Sequence, residues 1–192
     1  MGNTKIVIIM QGAPATGKTT IGKRLAASLE LPYFSKDGVK EPIFDHIGCP
    51  TDWETDHPLS GRKMDDAANA ILFYLLEQQL QAGCEFVVDS TLAAHHVPAL
   101  RELRSRYPFT PIQVVCRADA AEMTRRQRRR AETSERHPGH LDQRRSDAFD
   151  AIKMERLYRT LDIGGHVLDA DTTDFKEDDF LRLLKSIKSL MR

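Results

Sequence analysis

The chain has 192 residues, of which 41% are hydrophobic and 29% are charged. This length fits one α/β domain with a full core and room for a small inserted lid. The formal net charge is +0 at pH 7, so no overall field favours nucleic acids, membranes or acidic partners.

The cysteines have neither the spacing of a metal site nor that of a disulfide framework. Cys84 and Cys116 lie at or inside apolar strand candidates, and we expect them to be buried thiols in a reducing compartment. The sequence shows no secretory signal pattern and no apolar run of bilayer length, which favours a cytoplasmic protein.

Strand and helix patterns alternate along the chain, which predicts a mainly parallel sheet with helices on both faces. The predicted strands are residues 5–11, 33–35, 85–89, 111–116 and 166–169. The predicted helices are 18–29, 37–47, 60–82, 98–107, 119–131, 143–161 and 178–190. We expect Asp37, Ser60 and Asp119 to cap the helices that begin there.

Residues 10–20, MQGAPATGKTT, carry the spacing GxxxxGK[ST] between a buried apolar strand and a helix. The two glycines let the backbone curl so that its N–H groups form an anion nest, to which the helix dipole adds. Lys18 is expected to reach the β- and γ-phosphates, and the Thr19 hydroxyl to ligate Mg²⁺. A chance match in an ordinary turn is the alternative, and the strand–loop–helix context argues against it. The residues predicted to bind a nucleoside triphosphate are Gly12, Ala13, Pro14, Ala15, Thr16, Gly17, Lys18, Thr19 and Thr20.

Asp89 ends the apolar strand of the segment FVVDST. In phosphate-loop proteins an acidic residue at the tip of a neighbouring strand binds Mg²⁺ directly or through water. One carboxylate is enough, because Mg²⁺ keeps several waters. The alternative is a polar strand end with Ser90-Thr91 as a turn, and beside the phosphate loop we favour the metal role.

Asp37 follows the second short strand, and in an open α/β sheet the carboxyl ends of the strands line the ligand crevice. A carboxylate there can orient an attacking hydroxyl or accept its proton. Lys40 lies on the same helix face and could hold an anionic group of the acceptor or pair with Asp37. The alternative is a purely structural role, in which Asp37 caps the helix and forms an i,i+3 ion pair with Lys40.

The segment 124–130, TRRQRRR, is unusual in a neutral protein. Arg126 and Arg130 share one helix face and could clamp the transferring phosphate when a lid closes. Arg136, in the turn RHPGH, adds a further guanidinium.

Several other interpretations of this region remain open. The arginines could form a solvated charged face or an electrostatic footprint for RNA or DNA, although no aromatic residues interleave them. His137 and His140 have the spacing of metal ligands, but a third ligand is not evident. Trp53 in the 48–60 loop could stack on an acceptor or plug the loop onto the core.

The segments GAPATGKTT, SKDGVKE, FVVDST and RHPGH, with the Arg126 and Arg130 pair, together resemble the small phosphate-loop kinases. That group includes polynucleotide 5′-kinases, chloramphenicol phosphotransferase, zeta-toxin-like kinases and gluconate-kinase-like enzymes. Over nearly its full length the chain is similar to bacterial proteins labelled AAA-type ATP-binding proteins or predicted kinases. The resemblance implies a three-layer α/β P-loop NTPase fold whose five-stranded parallel sheet has the order 2-3-1-4-5. It also implies a single domain over residues 1–192 with a small helical, Arg-bearing lid at about 120–142.

The resemblance assigns Asp37 as the base for the acceptor hydroxyl and Asp89 as the carboxylate beside the metal. Arg126, Arg130 and Arg136 match the lid arginines of the group. Polynucleotide kinases of this type often carry an arginine soon after the base aspartate, and Gly38-Val39-Lys40 stands there instead.

The resulting functional prediction is an ATP- and Mg²⁺-dependent kinase that phosphorylates a hydroxyl of a small molecule. A 5′-hydroxyl polynucleotide kinase is one alternative, with nucleic acid as the partner. A nucleotide-dependent regulatory or toxin-like ATPase is the other. The acceptor would bind near residues 37–53 and the start of the 60–82 helix.

Overall fold

The computed structural model describes residues 4–50, 57, 59–133, 136–140, 150, 153–154 and 159–192. Within these ranges five strands form one sheet, in which every neighbouring pair is parallel. Its order, β2-β3-β1-β4-β5, confirms the predicted topology. The strands are β1 (Lys5–Gln11), β2 (Tyr33–Ser35), β3 (Phe86–Asp89), β4 (Phe109–Arg117) and β5 (His166–Asp171).

The helices join the strands in sequence, as the alternating pattern predicts. They are α1 (Lys18–Leu29), α2 (Lys36–Ile47), α3 (Gly61–Gln81), α4 (Val97–Arg106), α5 (Ala120–Glu132) and α6 (Glu177–Leu190). Short 3₁₀ turns cover Ala94–His96 and Pro138–His140. Among the described helices, none combines the length and hydrophobicity that a membrane span requires.

The sheet separates two hydrophobic cores, because successive residues of β1 point to opposite faces. On one face Ile8 shares a core with Leu25 of α1 and Ile187 of α6. On the other face Ile9 shares a core with Leu72 of α3. This three-layer arrangement brings the carboxyl ends of β1, β2 and β3 to one edge, where polar side chains gather.

The start of α2 differs from the prediction. Ser35, not Asp37, is the N-cap, because its extended backbone lets its Oγ accept a 3.0 Å hydrogen bond from the Gly38 N–H. Asp37 lies in the first turn, where its carboxylate is free for side-chain contacts. Asp119 does precede α5 but makes no side-chain cap bond, whereas Ser60 caps α3 as predicted.

Two further predictions are wrong in part. Residues 159–161 are not helical, and Leu161 is held instead by Gln113, whose side-chain amide bonds both its N–H and its C=O at 2.8 and 2.9 Å. Cys84 is half-buried and precedes β3, whereas Cys116 is buried within β4. Trp53 and most of the predicted 143–161 helix lie outside the described residues.

Candidate active site

The phosphate loop has the backbone geometry that its glycines predict. Gly12 has φ 128°, and any Cβ there would lie 2.2 Å from the carbonyl oxygen of Cys116 on β4. Gly17 has φ 80° and is the N-cap of α1, and Ala15 is also left-handed, with φ 67°. The loop therefore curls tightly around the N-terminus of α1, where backbone N–H groups and the helix dipole attract anions.

Lys18 is buried in the loop, with 7% of its surface exposed, and its ammonium donates a 2.8 Å hydrogen bond to the Ala13 carbonyl. Burial lowers the pKa of Lys18, although the carboxylates of Asp89 and Asp37 act in the opposite direction. The charge of Arg130 lowers this pKa further. An anionic phosphate would supply the countercharge that this buried ammonium favours.

Thr19 and Asp89 meet at the ends of neighbouring elements. The Thr19 hydroxyl donates to Asp89 Oδ2 at 2.7 Å, because β3 lies next to β1 and ends at Asp89. A hydroxyl and one carboxylate at this spacing match the ligands that Mg²⁺ takes beside phosphate oxygens. These two residues therefore fit the metal role predicted for them.

Tyr33, at the start of β2, is a site residue that the sequence reasoning missed. Its hydroxyl donates to Asp89 Oδ2 at 2.8 Å, beside the Thr19 bond to the same oxygen. Burial and the Asp89 charge raise the pKa of Tyr33, so it stays a neutral donor. The two donors fix the orientation of the carboxylate that would hold Mg²⁺.

Arg126 packs against the outer wall of the phosphate loop. Its guanidinium donates to the Ala15 carbonyl at 3.3 Å and to the Thr172 carbonyl at 2.5 Å, and Glu122 accepts from its Nε at 2.7 Å. Thr172, which the sequence analysis did not single out, donates from its hydroxyl to the Thr16 carbonyl at 2.7 Å. Arg126 thus braces the loop from the side of β5.

The other arginines of α5 lie on two different faces of the helix. Arg130 is half-buried and, four residues after Arg126, shares its face of α5. Arg125 is exposed and paired with Glu122, and Arg128 and Arg129 are exposed as well. These three side chains lie on the solvent side of α5, whereas Arg126 contacts the phosphate loop.

Asp37 contacts the segment 136–140, which follows α5. Arg136 donates to Asp37 Oδ2 at 2.5 Å, and His140 Nδ1 lies 3.9 Å from Oδ1. Burial opposes ionisation of Asp37, but Arg136, His140 and two lysines outweigh it and hold its pKa below the usual value. The candidate base is therefore ionised at neutral pH, and 43% of its side chain is exposed.

The segment 136–140 docks on α2 through a ladder of acidic side chains. Asp37, Glu41 and Asp45 are spaced four residues apart and lie on one face of α2. Glu41 bonds His140 Nε2 at 2.9 Å, and Asp45 bonds His137 Nε2 at 3.0 Å. The two histidines thus face different carboxylates, and no metal-ligand group of three or more occurs in the part of the chain that the structure describes.

Lys40 is almost fully buried and takes a partner that the sequence did not suggest. Its ammonium donates to Asp65 Oδ1 of α3 at 2.7 Å, and Lys36 donates to the other oxygen at 2.9 Å. Burial opposes ionisation of Asp65, but these two lysines outweigh it and lower its pKa. This ion triad joins α2 to α3 beside Asp37.

The comparisons with known proteins fit this geometry. The profile of a family described as "AAA domain" matches residues 7–154, which contain the phosphate loop, Asp37, Asp89 and α5. The chain belongs to this AAA domain family. No curated protein sequence matches it.

Solved structures similar to this AAA-family protein include kinases. An inferred kinase from Chloroflexus aurantiacus is 30% identical, with TM-score 0.82, and covers 98% of this chain and 100% of its own. A Janibacter sugar kinase is 18% identical, with TM-score 0.59, and covers 96% of this chain and 95% of its own. Kti12 of Chaetomium thermophilum, solved with ADP-AlF3, is 16% identical, with TM-score 0.66 and coverage of 97% and 99%. The AAA-family protein therefore has a kinase-like P-loop fold.

Proposed function

We propose that this AAA-family protein is an ATP-dependent kinase that transfers the γ-phosphate to a hydroxyl of a small-molecule acceptor. One observation carries the proposal: an ionised, part-exposed Asp37 lies at the same sheet edge as the phosphate loop. It follows β2, whose last residue Ser35 pairs with Asp89, and Asp89 accepts a 2.7 Å hydrogen bond from Thr19 of the loop. A phosphate anchor and a carboxylate for the acceptor are the two parts that phosphoryl transfer to a hydroxyl needs.

Each residue on the phosphate side of the site has a role in this proposal. The loop amides and Lys18 would hold the β- and γ-phosphates, and Thr19 and Asp89 would hold Mg²⁺. When bound, Mg²⁺ neutralises charge on the phosphate oxygens. Arg130 on the loop side of α5 would add positive charge near the transferring group.

On the acceptor side, Asp37 orients the hydroxyl and takes its proton. The hydroxyl oxygen forms the bond to the γ-phosphorus, while the bond from that phosphorus to the bridging oxygen breaks and ADP leaves. Arg136 holds the Asp37 carboxylate at the site through its bond to Oδ2. The similarity to an inferred kinase supports phosphoryl transfer, and the shared fold with a protein described as a sugar kinase favours a small-molecule acceptor.

A second candidate is a 5′-hydroxyl polynucleotide kinase. An open groove along α5 is lined by Arg125, Arg128 and Arg129, which could follow a phosphate backbone. Salt-sensitive affinity for oligonucleotides would favour this function. The free thiols of Cys49, Cys84 and Cys116 fit a reducing compartment, and we place the kinase in the cytoplasm.

The test measures label transfer from γ-labelled ATP with Mg²⁺ to a panel of sugars, sugar acids and alcohols, and to a 5′-hydroxyl oligonucleotide. Asp37→Asn should lower transfer by about 100-fold or more while ATP affinity stays unchanged. Asp45→Asn is the matched control, because Asp45 lies on the same face of α2 but pairs with His137. Transfer by Asp37→Asn at the wild-type rate would refute the base assignment, and label on the oligonucleotide would favour the second candidate.

A further inference from the structure

His140 lies buried between two carboxylates, with 4% of its surface exposed. Its Nε2 is 2.9 Å from Glu41 Oε1, and its Nδ1 is 3.9 Å from Asp37 Oδ1. The phosphoryl transfer described above assigns no role to this ring. The ring lies next to the candidate base Asp37, where it could take part in the transfer of the proton from the acceptor hydroxyl.

The hydrogen bond to Glu41 fixes the tautomer of the ring. A carboxylate only accepts hydrogen bonds, so the hydrogen of a neutral ring lies on Nε2 and the lone pair lies on Nδ1. Burial holds the pKa of His140 below its usual value, and Arg136 and Lys40 add to this effect while Asp37 and Glu41 oppose it. At neutral pH the ring therefore directs its Nδ1 lone pair towards Asp37 Oδ1, 3.9 Å away.

Asp37 by itself does not remain protonated at neutral pH. Burial favours its protonated form, but Arg136 and the lysines of α2 lower its pKa. A proton taken from an acceptor hydroxyl therefore needs a more basic neighbour at neutral pH. The neutral imidazole of His140, whose Nε2 bonds Glu41, offers Nδ1 as that base.

We propose that His140 receives, through Asp37, the proton that leaves the acceptor hydroxyl. The proposal rests on the proposed kinase function. The hydroxyl proton passes to Asp37 Oδ1 and then to His140 Nδ1, which becomes an imidazolium between Asp37 and Glu41. The 3.9 Å gap narrows by about 1 Å to form this bond. After ADP and product leave, the imidazolium gives its proton to solvent and the site is reset.

His137 provides a matched control within the same segment. It faces Asp45 through Nε2 at 3.0 Å and stacks on the Phe44 ring, so it shares the docking role of His140. Its ion-pair partner is Asp45, four residues from Glu41 and eight from Asp37 on the same face of α2. Removing His137 should therefore disturb docking without interrupting the proton path.

The first experiment is a ¹H–¹⁵N NMR titration of the histidine rings in the full-length protein, with the His140 signal identified by its loss in His140→Gln. The neutral ring should carry its hydrogen on Nε2. Asp37→Asn and Glu41→Gln should each lower the pKa of His140, because each removes a nearby negative charge. A neutral ring with its hydrogen on Nδ1 would overturn the proposal, since Nδ1 could then accept no proton.

The second experiment measures single-turnover phosphate release from ATP between pH 5 and 9, with water in the place of the acceptor. The rate should rise with pH through the pKa of His140, and His140→Gln should remove this limb and lower the rate about 100-fold. His137→Gln should keep the limb, and the Kd for ATP should stay the same in both variants. An unchanged rate and pH profile in His140→Gln would overturn the proposal. If Asp37→Asn is also without effect, the assignment of Asp37 as the base in the proposed function fails as well; if Asp37→Asn is inactive, only the role of His140 fails.

Discussion

Gly139 is the position where docking of segment 136–140 on α2 is most easily broken. A Cβ at Gly139 would lie 2.3, 2.6 and 2.7 Å from three ring carbons of Phe44, a side chain that is only 2% exposed. Carbon atoms in contact prefer about 3.5–4.0 Å, so Gly139→Ala forces the segment and α2 apart by more than about 1 Å. The bond from Arg136 to Asp37 depends on the same docking.

Overpacking a dense contact of this kind costs about 1–3 kcal/mol. For a chain of this length, each kcal/mol lowers Tm by about 2–4 °C, so Gly139→Ala should lower Tm by about 2–12 °C. Label transfer should also fall, because Arg136 and His140 move away from Asp37. Thermal unfolding and the transfer assay give the two readouts.

Phe44→Leu tests whether the ring is the cause of this loss. The smaller side chain makes room for the new methyl group, so the double variant should be more stable than the sum of the single effects predicts, by about 1 kcal/mol or more. Single effects that add within about 0.5 kcal/mol would refute this account of the contact.

Three further predictions concern the loop and the ion triad. Gly12→Ala should abolish ATP binding in calorimetry, because its Cβ would collide with a backbone carbonyl of the neighbouring strand; retained affinity would contradict the loop geometry. Thr172→Val should lower stability in urea by about 1–3 kcal/mol, because the buried Thr16 carbonyl loses its hydroxyl donor; an unchanged midpoint would contradict this. Asp65→Asn should cost about 3 kcal/mol, because it leaves the buried Lys40 without its carboxylate. Burial opposes ionisation of Asp65, but Lys36 and Lys40 lower its pKa, so its stabilising effect is present above the pKa of the unfolded chain and lost as pH falls through the folded value. The difference between wild type and Asp65→Asn in urea should therefore shrink below about pH 4, and a constant difference would refute the linkage.

The sequence alone was sufficient to predict features that depend on residues close together in the chain. The phosphate loop from Gly12 to Thr20 and the alternation of strands and helices were predicted correctly, because turn geometry and periodicity are local properties. The strand order followed from the resemblance to phosphate-loop kinases and agrees with the structure. The Asp37 cap failed because Ser35, two residues earlier, offered an equally good cap.

The partners in the site were decided by tertiary structure alone. Arg136 meets Asp37 across 99 residues, Thr172 meets Thr16 across 156, and Lys40 finds Asp65 on another helix. Periodicity and spacing in the sequence do not predict such a pair, because the two residues meet only when the sheet order brings separate elements to one edge. The sequence by itself determined that the chain has a phosphate-binding loop and an α/β fold. The tertiary structure decided which charges surround Asp37 and that His140 lies next to it.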